Sequence, residues 1–280
     1  MNINWYPGHM KVAVDKLKQS LKLVDIVAEV IDARIPLSSR NPVLDDILEN
    51  KARILILNKA DLSDPNQNEK WKRHYEQMDM GVMIVDALNN KDLKSLRKTC
   101  EKELVEKRER DKKRNIFDDT IRMMIVGIPN VGKSTIINQI AGRSGARVGN
   151  KPGVTKANQW IKSENKIQLL DTPGVLWPKF EDPEVGLNLA FTGAITDNIL
   201  DTENLALKLI GRLRYYEKNL KERYKIDYDV ENTDLEIMQM IAEKRGAILK
   251  GGVIDYFKIS NTILSEFRKG KIGRITLERI

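Results

Sequence analysis

The sequence predicts an α/β fold in which an open, mostly parallel sheet has helices on both faces and an all-α segment follows it. Short apolar runs at 24–31 and 53–57 each end in polar residues and lead into helical patterns. A third run, 121–126, leads into the pattern G-x-x-x-x-G-K-S at 127–134. From about residue 195 onward the apolar residues keep helical spacing without a strand pattern. We therefore expect a sheet domain at 1–190 and a helical domain at 195–280.

Composition sets limits on the class of protein. The 280 residues include 48 Lys and Arg against 40 Asp and Glu, a formal charge of +8, which suits a polyanionic partner such as RNA without identifying it. The apolar runs are too short to span a bilayer, so no membrane partner is expected. The single cysteine, Cys100, cannot form an internal disulfide, which predicts a cytoplasmic location and a buried, unreactive thiol.

The first two predicted strands bring polar residues to one edge of the sheet. Residues 24–31 end in DARIP, where we expect a local salt bridge between Asp32 and Arg34. Residues 53–57 end in N-K-A-D, formed by Asn58, Lys59, Ala60 and Asp61. Parallel strands present their carboxyl ends at the same edge, so these loops should lie side by side.

The N-K-x-D pattern is typical of a guanine-recognition loop, and residues 58–61 are called the base loop below. The Asp61 carboxylate can accept hydrogen bonds from guanine N1–H and the 2-amino group, a donor pair that adenine lacks. We expect Asn58 to connect the base loop to the phosphate loop and the stem of Lys59 to pack along the ring. A third predicted strand, 81–88, carries Asp86 and Ala87, and the Ala87 N–H is the candidate donor to guanine O6. Asp86 stands where such loops usually have serine, so the contribution of a hydroxyl there is absent.

The phosphate loop supplies the second half of the predicted site. Its glycines allow backbone N–H groups to converge on phosphate oxygens, and the following helix, expected at 133–142, adds its positive dipole end. Lys133 is the candidate ligand of the β- and γ-phosphates, and the Ser134 hydroxyl is the candidate Mg²⁺ ligand. The expected nucleotide-binding residues of this loop are Asn130, Val131, Gly132, Lys133, Ser134 and Thr135.

Two further segments are predicted to sense the γ-phosphate. Residues 143–158 lack periodicity, and Thr155 is the candidate that closes on Mg²⁺, with an ordinary surface loop as the alternative. Short strands at 158–163 and 166–170 then lead to D-T-P-G, in which Asp171 lies in the outer shell of Mg²⁺ and the Gly174 N–H contacts the γ-phosphate. A long charged helix at 92–114 is either a solvated connection, which we favour, or an RNA contact.

The order of these motifs is unusual. The N-K-x-D loop precedes the phosphate loop, whereas most GTPases have the reverse order. An open sheet tolerates such a circular permutation when the ordinary termini lie close together.

Together the segments NWYPGHM, DARIP, NKAD, GIPNVGKST, GVT, DTPGVLWPKFED and KRGAILKGG resemble the circularly permuted GTPases, in particular those that act in assembly of the large ribosomal subunit. The resemblance covers essentially the whole chain. It implies hydrolysis of GTP to GDP, an α/β GTPase domain, and a helical domain similar to RNA-binding antiterminator domains. It also implies binding to a large-subunit precursor through rRNA and ribosomal proteins, with a monomer away from the ribosome.

The residues offer one candidate for the side chain that positions the attacking water. Val175 follows D-x-x-G where many GTPases have a water-positioning glutamine, as in the group with a hydrophobic residue there. His9 is our candidate for orienting the water, with a packing or capping role as the alternative. Asn130 resembles the asparagine of K⁺-binding GTPases, with bracing of the loop as the alternative.

Two other functions stay open beside an assembly GTPase. One is a nucleotide-switched RNA-binding module in which occupancy by GTP, rather than hydrolysis, is the functional event. The other is a tRNA-modifying or transport-linked GTPase, which the lack of a second catalytic motif and of transmembrane runs disfavours.

Overall fold

A computed structural model describes residues 15, 17–48, 51–89, 91–142, 160–163, 165–170, 182–195 and 201–280. Six strands form one sheet in the order β3-β2-β1-β4-β6-β5, parallel except for β5, which pairs antiparallel with β6. The strands are β1 (Ile26–Asp32), β2 (Ala52–Asn58), β3 (Gly81–Val85), β4 (Ile121–Val126), β5 (Trp160–Lys162) and β6 (Ile167–Leu170). The strand with the phosphate loop, β4, lies next to β1 in the middle of this sheet.

The described helices cover the sheet and then form the C-terminal segment. Residues 17–21 are helical, and the helices with both ends in the described residues are α1 (Pro42–Ile47), α2 (Pro65–Glu76), α3 (Leu96–Glu103), α4 (Val105–Lys113), α5 (Lys133–Ala141), α6 (Pro183–Thr192), α7 (Thr202–Leu213), α8 (Glu217–Tyr224), α9 (Asp234–Arg245) and α10 (Tyr256–Arg268). On β1, Ile26, Ala28 and Val30 join one hydrophobic cluster, while Val27 and Ile31 join clusters on the other face. Burial of both faces confirms the predicted α/β sheet.

The third predicted strand was too long. β3 ends at Val85 rather than at residue 88. The next residues turn away from the ladder, because the Asp86 N–H donates to the Asp92 carboxylate and the Ala87 N–H donates to Asn58 Oδ1. The polar edge of the sheet therefore begins three residues earlier than expected.

The predicted single helix at 92–114 is also wrong. A 3₁₀ turn at Asp92–Ser95 leads into α3, and Leu104 then separates α3 from α4. Leu96, Cys100 and Leu104 are buried against the sheet, whereas no residue of α4 is buried. The helix breaks where the buried stripe ends, and α4 is held to the domain by polar contacts instead, such as the hydrogen bonds that Arg108 donates to Asp118 O and Thr120 O.

Residues 201–280, all of which the structure describes, contain four helices with their own hydrophobic cluster, which includes Leu209, Ile241 and Phe267. The boundary is not sharp: in α6, Leu189 packs in the sheet cluster while Phe191 packs in the helical cluster. The division at 1–190 and 195–280 stays a prediction. None of the described helices is long and apolar enough to cross a membrane.

The last seven residues return from the helical segment to the sheet. The Ile275 N–H donates to Leu62 O, the Leu277 N–H donates to Arg34 O, and Trp71 Nε1 donates to Glu278 O. Residues 274–280 therefore cover the loops that follow β1 and β2.

Candidate nucleotide site

The carboxyl ends of β1, β2 and β4 bring three predicted motifs together. Asp32 and Asn58, the last residues of β1 and β2, are register partners, and β1 also pairs with β4. DARIP, NKAD and the phosphate loop consequently lie at one edge of one sheet. This is where the open parallel sheet of a nucleotide-binding protein holds its ligand.

Two glycines give the phosphate loop its shape. Gly127 has φ of 148°, and a Cβ there would lie 2.3 Å from Val30 O. Gly132 has φ of 96°, and a Cβ there would lie 2.2 Å from Asn58 Nδ2. Only glycine fits both the left-handed backbone and the close approach at these positions.

The loop delivers its polar side chains to the start of α5. Lys133 Nζ folds back and donates to Ile128 O at 2.7 Å, and Ser134 is exposed in the first helical turn. The N–H groups of this turn have no partner within the helix, so they point toward the loop with the positive end of the helix dipole. These N–H groups and the helix dipole together suit an anion that carries several oxygen atoms.

Asn58 connects the base loop to the phosphate loop, as the sequence predicts. It also connects both to the loop after β3. Its side chain is buried, with Nδ2 donating to Val131 O at 2.7 Å and Oδ1 accepting from the Ala87 N–H at 3.1 Å. The base loop is thereby fixed to the phosphate loop on one side and to the loop after β3 on the other. The Ala87 N–H is already used in this way, so a contact with guanine O6 requires this donor to be shared.

Lys59 reaches over the phosphate loop. It has a left-handed backbone with φ of 62°, and Nζ donates to Asn130 O at 2.6 Å and to Asp32 Oδ2 at 2.9 Å. The Asn130 side-chain amide in turn donates to Gly193 O at 2.7 Å. This contact gives the bracing role of Asn130 a physical basis, while K⁺ binding stays a prediction.

The expected Asp32–Arg34 salt bridge is present, and it is buried. Arg34 Nη2 lies 2.8 Å from Asp32 Oδ2, and Arg34 Nε donates to Asp32 Oδ1 at 2.9 Å. Burial alone would raise the pKa of Asp32, but the charges of Arg34 and Lys59 and their hydrogen bonds outweigh it and lower that pKa. Asp32 is thus held as a carboxylate.

Asp61 is exposed at the end of the NKAD loop. Partial desolvation raises its pKa, and the nearby Asp86 carboxylate adds to that rise. A ligand that donates two hydrogen bonds would relieve this electrostatic cost. Asp86 itself accepts from the Leu88 N–H at 2.9 Å, so it shapes the turn after β3.

The sequence analysis missed residues that support the NKAD loop from behind. Arg274 donates from Nη2 to Ala60 O at 2.7 Å and from Nε to Ser63 O at 2.9 Å. Arg34 Nη1 donates to Arg268 O at 3.3 Å. Contacts between positions so distant in the chain leave no periodic signal in the sequence.

Several predicted site residues lie outside the described part of the chain, namely His9, Thr155, Asp171, Gly174 and Val175. β6 ends at Leu170, next to Asp171, and pairs in parallel with β4. Among the described residues no cluster of three or more His, Cys, Asp or Glu side chains is suited to a metal ion. The hypotheses for His9 and for the Mg²⁺ site stay predictions.

Comparison with known proteins gives the family. Residues 122–244 match a family model described as 50S ribosome-binding GTPase. Ribosome biogenesis GTPase A of Bacillus pumilus is 43% identical over 284 residues, a match that covers 100% of this chain and 99% of that protein.

Two solved structures of YlqF share the fold. GDP-bound TM YlqF is 29% identical with a TM-score of 0.67, covering 94% of this chain and 98% of that chain. GNP-bound YlqF from T. maritima is 28% identical with a TM-score of 0.66, covering 96% and 98%. The sequence identity and the nearly complete coverage of both chains agree with the motifs at the sheet edge, and the chain therefore belongs to the ribosome biogenesis GTPase A family.

Proposed function

We propose that this GTPase is an assembly factor of the large ribosomal subunit that binds GTP and GDP at the described sheet edge. The observation that carries the proposal is the Asn58 side chain, which joins the phosphate loop to the base loop through hydrogen bonds to Val131 O and the Ala87 N–H. A base loop and a phosphate loop fixed to each other can enclose one nucleotide. The relatives with bound GDP and GNP support a guanine nucleotide as the ligand.

The bound nucleotide is held at its base and at its phosphates. Asp61 accepts hydrogen bonds from the guanine edge while the Lys59 stem packs along the ring. Asn130, Val131, Gly132 and Thr135 surround the phosphates with backbone and side-chain donors, and Lys133 leaves Ile128 O to neutralise the β- and γ-phosphates.

Magnesium fits the loop because the Ser134 hydroxyl is exposed beside Lys133. Ser134 would hold the ion together with Thr155 and, through the outer shell, Asp171; when bound, the ion stabilises negative charge on the phosphates. The Gly174 N–H contacts the γ-phosphate, and His9 orients the water.

The helical segment offers the surface for the particle. An antiparallel bridge between Ile248 and Ile254 holds a short hairpin whose tip exposes Leu249, Lys250 and Val253. Phe257 is 66% exposed just after it, and Lys244 and Arg245 precede it. A group of cations beside an exposed aromatic ring suits RNA, because the cations pair with phosphates and the ring stacks on unpaired bases. We infer that this hairpin contacts rRNA of the precursor.

Co-sedimentation with large-subunit precursors tests the proposal. We expect the protein loaded with a non-hydrolysable GTP analogue to bind the precursor more tightly than the GDP form, and the particle to accelerate turnover. Lys250→Ala and Phe257→Ala should weaken particle binding while the affinity for GDP stays that of the wild type. Lys218→Ala, at a well-exposed lysine of α8, is the matched control. Equal binding in both nucleotide states would contradict the assembly role.

The alternative, a nucleotide-switched RNA-binding module, is favoured by Val175, which cannot position water. Single-turnover hydrolysis on the particle separates the two. A variant that binds GTP but does not hydrolyse it would release normally from the particle only if occupancy alone is the functional event.

A further inference from the structure

A buried ion cluster lies directly behind the base loop, and the nucleotide contacts proposed above use only its outermost member, Lys59. Its centre is Asp32, whose two oxygens accept hydrogen bonds from Arg34 on one side and from Lys59 Nζ on the other. Asp32 and Arg34 are 2% and 1% exposed, whereas the Lys59 side chain is 21% exposed. The cluster therefore extends from the interior to the surface of the candidate site through a single side chain, that of Lys59.

We propose that Asp32 is a positioning residue for the nucleotide base, acting through Lys59. Lysine has a long, flexible stem, and confining it costs rotamer entropy that a ligand would otherwise have to supply. Here Nζ is fixed from two directions, by the Asp32 carboxylate at 2.9 Å and by Asn130 O at 2.6 Å. The stem is thus held across the space between β1 and the phosphate loop by contacts within the protein itself.

The Asp32 carboxylate is itself rigid. Its Oδ1 accepts from the Arg34 N–H at 3.1 Å, and the Asp32 N–H donates to Ser39 Oγ at 3.0 Å. The Arg34 guanidinium lies 5.5 Å from the centre of the Phe267 ring and donates to Arg268 O. Lys59 is therefore connected through two side chains to the end of α10, so the helical segment takes part in holding the base loop.

A neighbouring carboxylate provides a matched control. Glu29 is on the same strand and is 1% exposed, but it faces Arg40 and Arg53, each 3.6 Å away, rather than Lys59. Both carboxylates are buried and charge-paired. A general effect of removing a buried charge from β1 should appear in Glu29→Gln as well as in Asp32→Asn, whereas an effect through Lys59 should appear only in Asp32→Asn.

The test is a double-mutant cycle on the full-length protein, with the dissociation constant of a fluorescent GDP analogue as the readout. We expect Asp32→Asn to raise that constant about tenfold, and less than about twofold when Lys59 is already Met. Glu29→Gln should leave it unchanged. In steady-state hydrolysis of GTP, the KM of Asp32→Asn should rise by a larger factor than kcat falls, because Asp32 reaches the phosphate loop only through Lys59 Nζ. An equal loss of affinity in both Lys59 backgrounds, or no loss in either, would overturn the proposal.

A second mutant background and one further variant keep the result interpretable. Asp32→Asn leaves Arg34 as an unpaired buried charge, so if that variant does not fold, the cycle is repeated in an Arg34→Met background, where this problem is absent. The inference rests on the proposed base site, and Asp61→Ala separates the two. Unchanged GDP affinity in Asp61→Ala would contradict the base site itself, whereas weakened binding there with normal binding in Asp32→Asn would contradict only the positioning role.

Discussion

Replacing Asn58 with alanine should destabilise the protein, because this one side chain closes hydrogen bonds between three loops. The substitution removes the donor to Val131 O and the acceptor for the Ala87 N–H. Val131 and Ala87 are 1% and 5% exposed, so water cannot readily replace the lost partner in the folded protein. The two backbone groups would remain buried without a hydrogen bond.

The size of the effect follows from those two groups. A buried donor or acceptor left without a partner costs about 1–3 kcal/mol. Two such groups give an expected loss of about 2–6 kcal/mol in the free energy of unfolding, before any contribution from the small cavity. This is a large part of the stability of an ordinary domain.

Urea unfolding of the nucleotide-free protein, followed by far-UV circular dichroism, measures this loss. The matched control is Asn68→Ala in α2, since Asn68 is 2% exposed but its Oδ1 has no hydrogen-bond partner among the described residues. Alanine also favours a helix, so the control should lose less than about 1 kcal/mol. Equal destabilisation of the two variants would refute the connection of the loops through Asn58.

Two other substitutions test the packing of the site and the electrostatics of the sheet. Gly132→Ala should lower the free energy of unfolding by about 1–3 kcal/mol more than Gly142→Ala. Both glycines have positive φ, but of the two only Gly132 has, among the described residues, a side chain that the new Cβ would meet, that of Asn58. For Glu29, burial raises the pKa although nearby arginines lower it in part. The folded state therefore binds the proton more tightly, and stability falls as pH rises from the unfolded pKa through the raised folded one. Urea titrations across that pH range should show this fall in the wild type and its loss in Glu29→Gln; parallel curves would contradict it.

The parts of the site that the sequence predicted are those with local patterns. The NKAD and G-x-x-x-x-G-K-S motifs each follow a buried strand, and parallel strands necessarily bring such loops to one edge. The link from Asn58 to the phosphate loop and the Asp32–Arg34 salt bridge follow from the same reasoning, and the structure contains both. Family membership confirms the resemblance to permuted GTPases.

The parts that sequence reasoning missed depend on distant contacts. Arg274 reaches Ala60 O, and Glu278 accepts hydrogen bonds from the Leu37 and Ser38 N–H groups, over separations of more than two hundred residues. Residues 274–280 form no helix or strand that would give a periodic signal. The break at Leu104 was missed for a different reason: the charge pattern predicts helix on both sides of it, whereas the buried stripe of α3 has no continuation in α4.

The most direct test of the guanine site is the nucleotide preference of Asp61→Asn, compared with the wild type by equilibrium binding of GDP and XDP. In the proposed guanine site the carboxylate of Asp61 accepts from the guanine 2-amino group, whereas an asparagine amide there would donate to the 2-oxo group of xanthine. The account predicts that the wild type prefers GDP by about a hundredfold or more and that the variant prefers XDP. If the variant keeps the wild-type preference for GDP, the NKAD loop does not read the base, and the nucleotide site as described here is incorrect.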